Sequence, residues 1–339
     1  MIVPWTTKAP FFDRFSTRRS APNAGMARLN RLFKFSASPT WPRMARQSRF
    51  LLVLLSLAML VVAAVAAPKP PKGVTPEKIK YKTANGHDLY LHVFNPKSTS
   101  GGASPAIVFF HQGGWRSGKP QSFFGMAHHF STKGFVGISA EYRIRNNHPG
   151  TKIPWDPIED GKSAIRYIRK NAGRLGIDPN RIVAGGASAG GHVAAATASI
   201  EGSNARSDDT SISPIPNALV LFCPVYDTGP GGYGYGWIKK LGDYREVSPI
   251  DNINSKMPPT LVQVGTKDEI VFVKTVKRFQ RLQRKAGVYS ELRLYPGRRH
   301  GFFNYQPDYG TSLRYTERFL KKSGMWPNSR KATKRCADE

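Results

Sequence analysis

One serine among the smallest side chains is the first candidate for chemistry in this chain of 339 residues. The stretch RIVAGGASAGGHVAAATA reads as strand, sharp turn and helix, and its centre, Gly186-Ala187-Ser188-Ala189-Gly190, has the GxSxG pattern of a strained nucleophile turn. The positions two before and two after the serine must lack bulk so that strand and helix can approach each other. No Lys follows the glycines and there is no GxGxxG pattern, which argues against a phosphate loop. A serine hydroxyl is a weak nucleophile and needs a base, and the base needs a group that orients it. His300, in LYPGRRHGFFN, and Asp268, in LVQVGTKDEIVFV, each stand in a loop after an apolar strand-like run. In that arrangement His300 takes the serine proton and Asp268 fixes the tautomer and stabilises the imidazolium. Asp227, after ALVLFCPVYD, is the rival acid, while the adjacent Glu269 reads as solvated. His192, four residues past the serine, reads as a packing residue. His111, His128, His129 and His148 precede the nucleophile and fall outside the chain order of the triad.

Acyl transfer also needs donors for the developing oxyanion. IVFFHQGGW ends a strand in paired glycines, similar to the HGGG motif of lipases and esterases with Gln112 in place of the first glycine. The expected donors are Gly113, Gly114 and Ala189, and losing one such donor typically costs about 3 kcal/mol of transition-state stabilisation.

These residues need elements to position them. Lys78 to Phe94 suggests a β-hairpin turning at Asn85-Gly86. Strands are expected at 106–110, 134–140, 181–185, 218–224, 260–265 and 291–295, and helices at 156–175, 189–200, 272–286 and 312–322. Strands alternating with helices predict an α/β fold, a mostly parallel central sheet with helices on both faces.

Residues 79–322 resemble the hormone-sensitive-lipase-like and acetyl-esterase branch of the α/β-hydrolase superfamily, whose triad has the chain order Ser188, Asp268, His300. Beyond the triad, the likeness includes EYRI (Glu141 to Ile144), DPIEDGKSAIRYIRKNAGRLGIDPNRIVAGGASAGG and the His-Gly-Phe at His300. The resemblance implies the α/β-hydrolase fold and hydrolysis of carboxylic esters through an acyl-enzyme, without metal or organic cofactor. Trp115, Tyr142, Tyr226 and the glycine-rich loop 227–237 are candidates to line or cover the substrate pockets. Family analogy suggests a small-molecule or carbohydrate ester as substrate. A peptidase or lactonase of the same fold, or a non-catalytic binding module, are the rival readings.

Ahead of this domain, Phe50 to Ala67 (FLLVLLSLAMLVVAAVAA) with the basic MARQSRF before it reads as a signal peptide over 44–67. The expectation is a secreted or extracytoplasmic protein, with an uncleaved membrane anchor as the alternative. Residues 1–43 form a basic leader that sits awkwardly ahead of such a signal, residues 68–78 a Pro-rich linker, and 323–339 a basic polar tail. The formal net charge is +29 and stays near +20 without residues 1–66. The charges are scattered and no nucleic-acid module is visible, so no nucleic-acid partner is expected. Of the two cysteines, Cys223 reads as a buried free thiol and Cys336 lies near the polar terminus. With no CxxC or HExxH spacing, neither reads as a nucleophile or a metal ligand.

Overall fold

The protein is described by a computed structural model covering residues 66–97 and 102–327. The basic leader, all but the last two residues of the expected signal segment, and the end of the tail with Cys336 lie outside the described residues.

Eight strands form one sheet: β1 (Glu77–Ala84), β2 (His87–Phe94), β3 (Ser104–Phe110), β4 (Val136–Ala140), β5 (Ile177–Ala187), β6 (Ala218–Phe222), β7 (Thr260–Gly265) and β8 (Ser290–Tyr295). Their order is β1-β2-β4-β3-β5-β6-β7-β8, antiparallel at the β1/β2 and β2/β4 ladders and parallel from β4 through β8. The hairpin turns at Asn85 and Gly86 (φ 50° and 76°), both left-handed as a two-residue hairpin turn requires. Every residue of β3, β4, β6 and β7 is buried, so helices must cover both faces of the sheet, the condition under which strands become continuous apolar runs.

The helices are α1 (Phe124–Ser131), α2 (Trp155–Lys170), α3 (Ala189–Ser199), α4 (Tyr235–Ile238), α5 (Val273–Lys285) and α6 (Asp308–Lys322). Small residues set the closest approaches: a Cβ on Gly161 of α2 would stand 2.4 Å from Val193 of α3, and one on Gly137 of β4 would stand 2.0 Å from the Ala127 carbonyl oxygen of α1. An aromatic layer of Phe109, Phe123, Phe222 and Phe303 fills the centre, with Phe109 stacked on Phe123 at 4.9 Å and Phe222 lying 5.0 Å from Phe303.

The sequence leaves α1 unassigned, because its two histidines and small residues show weak helical patterning. It also carries α2 five residues too far and starts α6 four residues late. The last two residues of the expected signal segment and the first of the linker are held by contacts with the domain. Ala66 bridges Tyr305, the Ala67 N–H donates to the Asn304 carbonyl (2.7 Å), and Gly125 lies directly under the Pro68 carbonyl.

Two of the quoted motifs meet inside the fold. Arg143 of EYRI places its Nε 2.8 Å from Oδ2 of Asp160 in DPIEDG, and Lys82 of β1 reaches Oδ1 of the same carboxylate at 2.8 Å. Asp160 is fully buried, so this paired network joins β1, the segment after β4, and α2.

Candidate active site

Because β3 through β8 run parallel, the loops that follow β3, β5, β6, β7 and β8 all leave from one edge of the sheet, the edge where α/β proteins place their sites. Those loops carry Gly113, Ser188, Cys223, Asp268 and His300 in turn.

Ser188 sits between β5 and α3 with φ 52° and ψ −119°, a conformation a side chain rarely adopts. The strain is held from both sides: its N–H donates to the Phe222 carbonyl (3.0 Å), and its carbonyl accepts from Val225 (3.1 Å) and His192 (3.0 Å). The need for small neighbours is visible in the packing. A Cβ at Gly186 would meet the Gly190 and Phe110 carbonyls at 2.5 and 2.7 Å, and one at Gly190 would stand 2.0 Å from the Phe110 carbonyl.

His300 follows β8, and its Nδ1 lies 2.9 Å from Oδ2 and 3.1 Å from Oδ1 of Asp268. The Asp268 carboxylate is itself aimed, for Oδ1 accepts the N–H groups of Ile270 (2.9 Å) and Val271 (2.8 Å). Gly265, three residues earlier, lets the His300 loop close over β7: a Cβ there would stand 2.1 Å from the Arg298 carbonyl, and the Lys267 N–H donates to that same carbonyl (2.9 Å). Burial of the imidazole disfavours its charged form, but the Asp268 hydrogen bond and charge, together with Cys223, outweigh that and push the ring up to about 10. Among the described residues Ser188 Oγ and His300 share no hydrogen bond; contacts of this kind tighten in the Michaelis complex.

The rivals for these roles are engaged elsewhere. Asp227 accepts from the Gly229 N–H (3.0 Å) and faces Arg278 at 3.7 Å. His192 is fully buried with Nε2 2.7 Å from the Val247 carbonyl oxygen, and burial pushes it down to about 4. His129 pairs with Glu317 at 2.8 Å, and the exposed Glu269 lies 3.3 Å from Arg299.

The loop expected to hold the oxyanion keeps its turn despite Gln112. Gly113, Gly114 and Trp115 all have positive φ (136°, 62° and 59°), and the N–H groups of Arg116 and Ser117 both fold back on the Gly113 carbonyl. A Cβ on Gly113 would collide with the Ser117 carbonyl at 2.0 Å, so glycine is obligatory there. Ala189 opens α3, and the N–H groups of a helix's first turn have no carbonyl one turn back, which leaves them for an anion.

The three aromatic candidates separate. Tyr226 lines a narrow cleft together with Asp227, Tyr233, Ile270 and Phe272. That cleft adjoins the triad, since Val225 in its wall is bonded to the Ser188 carbonyl and Val271 to Asp268. Tyr142 is buried packing and not a pocket wall: its ring stacks on His111 at 4.3 Å and its hydroxyl donates to the His111 carbonyl (2.7 Å). Trp115 is likewise buried, between His192 (4.9 Å) and Tyr233 (5.6 Å), because the positive φ turns it inward.

One residue inside the expected loop 227–237 gains a named contact, and another escapes the sequence reading. Tyr233 brings its hydroxyl against Gly114, 2.8 Å from where a Cβ would lie, and so ties loop 227–237 to the oxyanion loop. Cys223 is a buried free thiol as expected, yet it belongs to the site, since Cys223, Asp268 and His300 each present a ligand atom within 4.8 Å of the other two. Its place one residue past β6, beside the strand that ends at the acid, was the available signal.

A strained serine, an aspartate-oriented histidine and a turn of positive-φ glycines, all on loops at the carboxyl edge of this sheet, have the layout of a serine hydrolase of the α/β-hydrolase class. The chain belongs to the α/β-hydrolase superfamily, in its hormone-sensitive-lipase-like esterase branch, and is a serine esterase by class. The BD-FAE family model matches residues 91–216 and the prolyl oligopeptidase family model residues 155–324. Esterase 2 of the planctomycete Thermogutta terrifontis superposes with a TM-score of 0.71 at 34% identity, covering 76% of this chain and 96% of that one. Esterase LipC of Mycobacterium tuberculosis is 27% identical over 62% of this chain, and an acetylxylan esterase of Xylanibacter ruminicola 26% identical over 78%. The chain spans 56% and 53% of the length of these two curated relatives.

Proposed function

We propose that this chain hydrolyses small carboxylic esters with short acyl groups through an acyl-enzyme on Ser188. The observation that carries the reading is the 2.9 Å bond between His300 Nδ1 and a doubly anchored Asp268, at the same sheet edge as a serine held at φ 52°. His300 Nε2 then faces away from the carboxylate, free to take the Ser188 proton as the hydroxyl attacks the acyl carbon. The oxyanion falls to the N–H groups of Gly113, Gly114 and Ala189, and His300 returns the proton to the leaving alcohol. Water attacks the acyl-enzyme by the same route in reverse.

The narrow cleft at Tyr226 supports a short acyl group, as does the likeness to a Thermogutta esterase solved with propionate and with butyrate. A carbohydrate alcohol draws support from the acetylxylan esterase relative.

Hydrolysis of p-nitrophenyl acetate, butyrate and decanoate, acetylated xylo-oligosaccharides and a prolyl peptide tests this reading. Acetate and butyrate are expected to lead, with the peptide untouched. Ser188→Ala keeps the fold and loses nearly all turnover. Asp268→Asn loses about 10⁴ in kcat and Asp227→Asn far less. Wild-type-like turnover in Ser188→Ala would overturn the mechanism, and the reverse ranking of the two aspartates would move the acid.

A further inference from the structure

The groups that make His300 a base are also three different kinds of metal ligand. Cys223 offers a thiolate sulfur, His300 an imidazole nitrogen and Asp268 a carboxylate oxygen, all within 4.8 Å of one another. We propose that they form an inhibitory site for a thiophilic divalent cation of the zinc type, which shuts the esterase off by occupying Nδ1 of its own base. The inhibition rests on the triad reading above; the binding does not.

Ligand chemistry selects the ion. Magnesium and calcium take oxygen ligands and keep octahedral or larger shells, whereas a sulfur–nitrogen–oxygen set suits tetrahedral zinc with one position left for water. With Zn–N and Zn–O near ~2.0 Å and Zn–S near ~2.3 Å, tetrahedral ligand atoms stand roughly 3.3 to 3.6 Å apart. The His300 Nδ1 and Asp268 Oδ2 are already 2.9 Å apart, so the ring and carboxylate need part by only a few tenths of an ångström.

The donors are also held in place. The Cys223 N–H donates to the Gln263 carbonyl of β7 (2.7 Å), and Oδ1 of Asp268 is engaged by two backbone N–H groups, which leaves Oδ2 toward the ring. Outer partners of that kind orient the ligands of a metal site. His300, whose side chain is 22% exposed, is the member that opens to solvent and gives the ion its way in.

Binding replaces two protons and changes no oxidation state. The thiol proton of Cys223 passes to solvent as the S–Zn bond forms. In a neutral imidazole the proton leaves Nδ1 as the N–Zn bond forms and resides on Nε2. A ring metallated on Nδ1 and protonated on Nε2 has no lone pair for the serine proton, so Ser188 loses its base while the fold is untouched.

The test uses the full chain freed of metal with EDTA. Zinc chloride at micromolar concentration is expected to lower p-nitrophenyl acetate turnover at least about tenfold, reversibly on adding EDTA, while magnesium at the same concentration does nothing. Cobalt(II), the spectroscopic probe, is expected to give a thiolate-to-metal charge-transfer band that saturates at one ion per chain. Ser188→Ala, which turns nothing over, is expected to keep that band, separating the site from the reaction. Cys223→Ala and Cys223→Ser are expected to lose the band and to need at least about tenfold more zinc for half-inhibition, each judged against its own metal-free rate. No band in the wild type, or equal zinc sensitivity in both cysteine variants, overturns the site. A band without inhibition overturns the regulatory role and leaves the esterase reading to its own tests.

Discussion

At Ser188, His300 and Asp268 the governing quantity is where the proton sits. On the proposed triad reading only the neutral imidazole accepts the serine proton, so kcat/KM is expected to rise with pH through the pKa of His300 in the free enzyme. Burial alone would move that midpoint below the ordinary histidine value near 6.5, but Asp268 and Cys223 carry it up to about 10. Esterase activity is therefore expected to keep climbing above neutrality, its half-maximal point above 6.5 and still rising at about pH 8. A kcat/KM profile from about pH 5 to 10 in metal-free buffer checks it; a plateau reached below the ordinary midpoint would show that burial wins over the carboxylate. His192, four residues from the nucleophile, makes the opposite case. Nothing anionic faces its ring in full burial, so it stays neutral and its loss acts on packing rather than on the pH profile.

Among the elements, the joint between strands and α2 is where a buried charge pair holds the scaffold. Arg143 sends Nε and its main-chain N–H to Oδ2 of Asp160 and Nη2 to Oδ1 and to Glu159, while Lys82 completes the set. Such a network gains little over an apolar core of the same shape, because desolvation consumes most of the attraction. Breaking it from one side leaves a carboxylate buried without its main partner. Arg143→Ala is expected to cost about 3 kcal/mol, read as a lower urea midpoint with the slope unchanged, while KM for p-nitrophenyl acetate in the remaining folded protein stays the same. Arg143→Met, which restores packing without the charge, is expected to fare no better, since Asp160 still lacks the guanidinium. A loss under about 1 kcal/mol in both would mean that Lys82 alone suffices.

For the whole molecule, the legible part of the sequence was the part written in local patterns. Apolar runs between glycine-rich turns marked the strands, and the order of serine, aspartate and histidine after β5, β7 and β8 marked the candidate triad, because parallel strands send every such loop to one edge. What stayed hidden depends on contacts between distant segments. Tyr233 reaches Gly114 only through the fold, Cys223 meets His300 only because β6 lies beside β7, and Tyr142 turns out to be packing because its hydroxyl finds the His111 carbonyl. Charge is the one global property the sequence states outright. Among the described residues 37 basic side chains stand against 19 acidic ones, so folding gathers a large excess of positive charge where it repels itself more than in the expanded chain. Salt shortens the screening length from about 10 Å at 0.1 M to about 3 Å at 1 M, so it relieves that repulsion while leaving the buried Arg143–Asp160 pair almost unscreened. The melting temperature is therefore expected to rise by several degrees between low and high sodium chloride. Sodium chloride is the appropriate salt, since sulfate would add exclusion effects of its own. Thermal unfolding followed by circular dichroism across that range checks the sign: a melting temperature that falls with salt would mean that surface ion pairs such as Arg298–Asp308, and not the net charge, dominate the electrostatic part of stability.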